Sequence, residues 1–227
     1  MKVCFCIPTM TRPYQVTLDS LAASVPMIES AGWDHAMVTE VGCPYISGAR
    51  AAMLRKALDA GADVIVFIDH DLSWDAGDML KLISTEGDVV AGTYRFKTPD
   101  ELRYMGVLDD NEDGTPKVRA DGCIKATRVP AGFLKVTKEA VGRFMVAYPH
   151  LVYGPAYNPS VDLFNHGAHK GAWWGEDYAF SRNWIDAGGE IWLVPDLNLD
   201  HHTTSERFAG NFHKFMLAQP GGSEAQE

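Results

Sequence analysis

Five apolar residues, Val64-Ile65-Val66-Phe67-Ile68, run straight into Asp69-His70-Asp71. A mostly β-branched run of this length, with no polar interruption, reads as a strand buried on both faces of a sheet. Open α/β sheets gather their ligands just beyond the carboxyl ends of their strands. If the chain stays extended past Ile68, Asp69 and Asp71 point the same way. Two hard oxygen donors side by side suit Mg²⁺ or Mn²⁺, and such a cation suits a diphosphate. An Asp-x-Asp alone is weak evidence and turns up often as a solvated turn, so it is the buried strand before it that gives the pair weight.

The surrounding chain alternates strand and helix patterns. Val3 to Ile7 is an expected strand stopped by Pro8, followed by the loop Thr9-Met10-Thr11-Arg12-Pro13. Leu18, Leu21, Ala22, Val25 and Ile28 fall near helical spacing between Tyr14 and Ser30, with Pro26 as a point where that helix splits or kinks. His35 to Glu40 is a second strand. Ser47 is an expected N-cap for a helix carrying Ala49, Met53 and Ala57, ended by Gly61. After the central strand, Ser73 or Asp75 caps a helix through Leu80, Leu82 and Ile83, and Asp88 to Tyr94 forms a fourth strand. This alternation predicts a βαβ sheet with parallel strands.

Beyond Lys97 the pattern changes. Residues 98–122 hold Pro99, an acidic run from Asp109 to Asp113, Gly114 and Pro116, the signature of a hairpin with an exposed turn. Cys123 to Val129 is an expected strand and Thr137 to Phe144 a short helix. Residues 148–172 are rich in Tyr, Pro, His and Gly without periodicity, which suggests a lid or binding element. A helix after Trp173-Trp174-Gly175-Glu176-Asp177 carries Phe180, Trp184 and Ala187, and stops at Gly188-Gly189. Ile191 to Val194 and Leu197 to His202 are further extended pieces.

Composition narrows the partners. A net charge of −10 disfavours a broad nucleic-acid surface, which needs a basic stripe. No apolar run approaches the ~20 residues that span a bilayer, and the start of the chain enters a strand pattern without a cleavage site, so a cytoplasmic location is expected. The four cysteines lack structural-zinc spacing and read as core. The expected organisation is one domain over residues 1–218, with a nucleotide-binding half at about 1–97 and an acceptor-binding half at about 98–218. Residues 219–227 are expected to be a disordered tail.

Three motifs stand in order: Asp69-His70-Asp71, Gly175-Glu176-Asp177 opening a helix, and His201-His202 after a late strand. With Ala91-Gly92-Thr93-Tyr94-Arg95-Phe96-Lys97 and Glu176-Asp177-Tyr178-Ala179-Phe180, the set resembles the GT-A glycosyltransferases from about residue 3 to residue 212, closest to the small single-domain bacterial and viral members. The resemblance implies a Rossmann-like α/β fold with a mixed, mostly parallel sheet flanked by helices. It implies transfer of a sugar from a nucleotide diphosphate, with a UDP-sugar as favoured donor, to an acceptor hydroxyl on a glycan or other molecule.

By the same resemblance, Asp71 ligates Mn²⁺ or Mg²⁺, and Asp69 meets the ribose or the metal through water. The late metal histidine maps onto His201, with His202 as contender. Asp177 takes the position of the inverting base, and Glu176 that of a residue bonded to acceptor or donor sugar. Thr9, Arg12, Arg50, His70 and Lys97 are candidates for holding the nucleotide, with Arg95 beside Lys97 for phosphate. Relatives often read Arg-Asn where this chain has Arg50-Ala51. Trp173, Trp174 and Gly175 are candidates for the sugar or acceptor, and His166 and His169 are acceptor contacts or bystanders. Each residue also has a plain structural reading: Glu176 and Asp177 suit a helix N-terminus on their own. Retention at the anomeric carbon, nucleotidyl transfer and non-catalytic sugar binding stay open as alternatives. Nucleotidyl transfer would want a glycine-rich loop after the first strand, where this chain has Pro8-Thr9-Met10-Thr11-Arg12.

Overall fold

The computed structural model describes residues 1–219, so the expected tail lies outside the described residues except for Gln219. The chain runs through β1 (Lys2–Thr9), α1 (Gln15–Ser30), β2 (Asp34–Val41), α2 (Ile46–Asp59), β3 (Val64–Ile68), β4 (Leu72–Ser73), α3 (Ala76–Ser84) and β5 (Val89–Ala91). It continues through β6 (Val107–Leu108), β7 (Ile124–Arg128), β8 (Phe133–Thr137) and α4 (Lys138–Ala147), then a 3₁₀ turn (Pro149–Leu151). The last part holds β9 (Val152–Tyr153), β10 (Ser160–Val161), β11 (Gly167–His169), β12 (Ala172–Trp174), α5 (Glu176–Asp186), β13 (Ile191–Leu193), β14 (Asp200–His202), β15 (Arg207–Phe208) and α6 (Phe212–Leu217).

Eight strands form one sheet in the order β2-β1-β3-β8-β5-β13-β7-β6. The pairings put six strands in one direction and leave only β8 and β7 opposed, so the sheet is mixed and mostly parallel. Side-chain alternation explains its continuous apolar strands. Val3, Phe5, Ile7, Val64, Val66 and Ile68 pack under α1 and α3, with Leu21, Ile28, Met79 and Leu82. Cys4, Cys6, Ile65 and Phe67 face the other way, onto Met53, Leu54, Ala57, Phe144 and Phe180 of α2, α4 and α5. Every residue of β3 is therefore buried. The two expected halves share this sheet, because β8 and β13 from the second half flank β5 from the first.

Several local expectations need correction. Pro26 does not break α1, which runs from Gln15 to Ser30 with Pro26 on its exposed side. The buried stripe of α1 is Thr17, Leu21, Ser24 and Ile28, shifted from the apolar reading because both hydroxyls are satisfied. Thr17 Oγ1 donates to the His70 carbonyl (2.8 Å), and Ser24 Oγ donates to Ser20 and accepts from Trp74 Nε1. Ser47 is not the N-cap of α2; Tyr45 holds that position, and Ser47 lies buried inside the first turn. Asp75, not Ser73, precedes α3. The stretch after Ile68 does not stay extended but turns through Asp69-His70-Asp71 into β4. Residues 148–172 are built as the 3₁₀ turn and short antiparallel ribbons, β9–β10 and the start of β11–β12.

Within the main sheet, the strand that sequence patterning misses is β8. It enters antiparallel between β3 and β5, and its Lys135 is buried on the α3 side. The ammonium donates to the carbonyls of Ile83 (3.0 Å) and Thr85, capping the C-terminus of α3 where the helix dipole favours a cation. Burial pulls Lys135 down to about 8. A lysine whose folded value lies below its unfolded one penalises folding while it is charged, and the penalty fades as pH rises through 8 towards the unfolded value. Wild type should therefore gain stability relative to Lys135→Met between pH 7 and pH 10, by up to ~3 kcal/mol, in urea titrations at the two pH values.

Candidate active site

The carboxyl ends of β1, β3 and β5 lie on one edge of the sheet, and their continuations carry Thr9, Asp69 to Asp71 and Tyr94. The Asp69 N–H donates to the Gly132 carbonyl (2.9 Å), which extends the β3–β8 pairing by one residue before the chain turns. A side chain at position 132 would collide with this site: its Cβ would lie 2.1 Å from Tyr94 Oη and 2.2 Å from Asp69 Oδ2. Glycine is what lets Tyr94 and Asp69 meet over β8.

Arg50, 3% exposed on α2, joins the two halves of the cluster. Its Nη2 donates to Asp69 Oδ1 at 3.0 Å, its Nη1 donates to Glu176 Oε1 at 2.6 Å, and the guanidinium lies 5.1 Å over the Phe164 ring. Burial opposes its charge, but the flanking Asp69 and Glu176 carboxylates outweigh burial and hold it protonated. Asp69 Oδ2 accepts from Tyr94 Oη at 2.8 Å. Burial and the Asp69 charge push Tyr94 far up, so it stays a donor. Each oxygen of Asp69 thus already accepts a hydrogen bond from the protein, and Arg50 is turned to carboxylates rather than to open space.

Asp71 has different neighbours. One of its oxygens accepts from Lys97 Nζ; the other lies 3.6 Å from His201 Nε2. Burial would raise Asp71, but His201 and Lys97 outweigh it and hold the carboxyl at about 2. The pairing of β14 with β4 sets His201 opposite Leu72, beside Asp71. Its ring stands edge-on to Tyr94, with centroids 4.9 Å apart. His201 Nδ1 lies 2.8 Å from the Arg95 carbonyl, which can only accept, so Nδ1 carries a hydrogen and Nε2 presents its other edge to Asp71. His202 points to the opposite side of the strand and pairs with Ser73 Oγ at 2.8 Å.

These residues fit a divalent cation. A ligating imidazole characteristically donates its second nitrogen to a carbonyl, as His201 does, and carboxylate with imidazole is an accepted set for Mn²⁺. No cluster of three or more His, Cys, Asp or Glu side chains is gathered for a metal among the described residues. Two protein ligands would leave the remaining positions to phosphate oxygens and water, the usual arrangement for a cation that binds with a nucleotide.

Asp177 lies in the first turn of α5, directly after Glu176. Burial first, then the Glu176 charge, raises it to about 6, although its Oδ1 accepts the Tyr178 N–H at 2.7 Å. A carboxyl with this value can release and take a proton near neutrality.

The remaining candidates are dispersed. Thr9 Oγ1 is buried without a hydrogen-bond partner among the described residues, at the end of β1. Arg12 is exposed on a groove of about 670 Å³ that also holds Tyr14, His202 and Thr204. The His70 carbonyl accepts from the Tyr14 N–H at 2.8 Å, strapping the turn to α1. Arg95 stacks on Phe208 (5.8 Å). Arg128 (4.6 Å) and Arg182 (4.9 Å) both stack over the Trp174 ring. Trp173, 73% exposed on the β11–β12 ribbon, has the His166 ring at 5.9 Å. His169 stands edge-on to Trp174, and Gly175 is the exposed N-cap position of α5. Sequence reasoning missed the roles of Tyr94, Gly132, Arg128 and Arg182; only Tyr94 carried a signal, inside a recognised motif.

Replacing Arg50 would leave two carboxylates facing each other without their cation. Arg50→Met should cost ~3–5 kcal/mol in the urea-unfolding free energy, the scale of a broken buried ion pair, and Arg50→Lys should recover part of it by keeping one of the two contacts.

No protein-family model matches the sequence, and no curated protein matches it. Among solved structures, GalNAc-T7 with UDP, GalNAc and Mn²⁺ aligns at 11% identity and TM-score 0.48, over 88% of this chain and 43% of its own. The catalytic domain of Drosophila β1,4-galactosyltransferase 7 with xylobiose aligns at 16% identity and TM-score 0.46, over 85% of this chain and 64% of its own. A glycosyltransferase involved in glycosylation of the major capsid of PBCV-1 aligns at 9% identity and TM-score 0.33, over 64% of this chain and 66% of its own. The chain spans less than two thirds of the length of the first two structures. No helix among the described residues is long and apolar enough to cross a membrane.

Proposed function

We propose that this chain is a metal-dependent glycosyltransferase that moves a sugar from a nucleotide diphosphate, a UDP-sugar in the favoured case, to an acceptor hydroxyl with inversion. One observation carries the reading. Arg50 ties a donor-side acid, Asp69, to an acceptor-side acid, Glu176, and so sets an Asp71–His201 cation pair and a raised Asp177 in one cluster. In this reading Asp71 and His201 hold Mn²⁺ or Mg²⁺. When bound, the cation acts as a Lewis acid towards the charge that builds on the departing diphosphate.

The chain's own residues account for the rest. Asp177 takes the proton of the acceptor hydroxyl as its oxygen attacks the anomeric carbon. The bond from that carbon to the diphosphate oxygen breaks, and its electron pair leaves with the diphosphate. Arg50 fixes the Glu176 carboxylate beside Asp177, where its negative charge keeps Asp177 basic. Tyr94 and Arg50 hold Asp69 at the end of β3, in reach of the nucleotide. Trp173, exposed on its ribbon, offers an aromatic face of the kind that covers sugar C–H surfaces. Thr9 Oγ1 is a buried polar atom without a partner among the described residues, suited to a ligand contact.

The Asp177 base has consequences of opposite sign for activity and stability. Its folded value of about 6 lies above the ordinary carboxylate value, so ionising it costs stability above pH 6, and the cost vanishes below pH 4. Asp177→Asn should therefore be more stable than wild type at pH 8, by ~2–3 kcal/mol, and equal to it at low pH. Its turnover should fall by about 10²–10⁴-fold, while wild-type kcat/KM rises with pH through about 6. NMR of the first product formed should show the inverted anomer. A retained anomer, or unchanged turnover in Asp177→Asn, rejects Asp177 as the base.

A further inference from the structure

The cation pair already has an occupant. Lys97 donates to one Asp71 oxygen while His201 Nε2 faces the other, so the ammonium stands where a divalent ion would bind the same carboxylate. The two neighbours of Asp71 differ in freedom. His201 is 6% exposed, tied through Nδ1 to the Arg95 carbonyl and packed edge-on against Tyr94. Lys97 lies in the loop after β5, its side chain is 30% exposed, and its flexible four-carbon stem ends in a point charge. Only Lys97 can leave without rebuilding the site.

Charge decides when it leaves. Asp71 and Lys97 neutralise each other, and the nearby Arg50 is already matched by Asp69 and Glu176. A bare divalent ion must therefore displace an ammonium from its carboxylate partner and leave that ammonium close to two new positive charges. A nucleoside diphosphate changes the balance, because its oxygens can take both the ammonium and the metal. We propose that Lys97 is a resident counter-cation that keeps Asp71 until a nucleoside diphosphate draws it off, so that divalent cation and diphosphate bind cooperatively. This rests on the donor-site reading above. It assigns Lys97 two successive anionic partners, Asp71 before the nucleotide binds and phosphate afterwards.

The test is a Mn²⁺ titration followed by the EPR signal of the free ion, with and without UDP, on the full chain. Without UDP, Lys97→Met should bind Mn²⁺ about tenfold more tightly than wild type, the scale of one partly buried ion pair, whereas Lys97→Arg should stay within about twofold. Saturating UDP should tighten Mn²⁺ binding by wild type about tenfold or more, and by Lys97→Met distinctly less. Thermal melts of the variants establish that each is folded. Equal Mn²⁺ affinity of wild type and Lys97→Met in the absence of UDP overturns the proposal. If wild type binds Mn²⁺ through Asp71, as shown by loss in Asp71→Ala, but UDP leaves that affinity unchanged, the donor-site reading falls and the proposal with it.

Discussion

The buried guanidinium of Arg50 is the interaction on which the site depends. Its partners lie 19 and 126 residues away along the chain, one at the end of β3 and the other at the start of α5. Burying a charge this deeply costs several kcal/mol before any partner is counted, on the order of that penalty per ion, so the position tolerates arginine only because two carboxylates and an aromatic face meet it. Its planar fork reaches both acids at once, which a lysine ammonium could not do. The acids are thereby fixed relative to each other, and Asp177, covalently next to Glu176, is fixed with them.

The sheet supplies the rigid frame for that bridge. β3 is buried on both faces and ends at the acids, while β8 runs back beside it and delivers Gly132 to the one place where no side chain fits. Two carboxylates of the site are thus held in opposite electrostatic states. Asp71, against a lysine and a histidine, stays ionised far below neutrality. Asp177, against burial and another acid, rises towards it. Such a division is what a site needs if one acid is to hold a cation and another is to exchange a proton.

Much of this was legible in the sequence because it is local. The continuous apolar run of β3, the helix opening at Glu176 and the strand–helix alternation of the first half follow from periodicity and turn residues alone. β8 was not legible, because Lys135 interrupts its apolar pattern and the carbonyls that satisfy that lysine belong to α3, 50 residues earlier. His201 and His202 cannot be told apart in sequence: adjacent strand residues face opposite ways, and only the register with Leu72 decides which one meets Asp71. The ion pairs of Arg50 were not legible, because its two acid partners come together only in the folded chain. Arg128 and Arg182 stack on the Trp174 ring only once β7, β12 and α5 come together, so the sequence showed Trp174 simply as an aromatic candidate for sugar or core.

The central claim is that Asp71 and His201 form a cation site that serves a nucleoside diphosphate. Calorimetry of UDP binding, with and without Mn²⁺, on wild type and Asp71→Ala tests it most directly. The account predicts binding by wild type that depends on Mn²⁺ and is lost in Asp71→Ala. UDP binding that is the same with and without Mn²⁺, or that survives intact in Asp71→Ala, would contradict it.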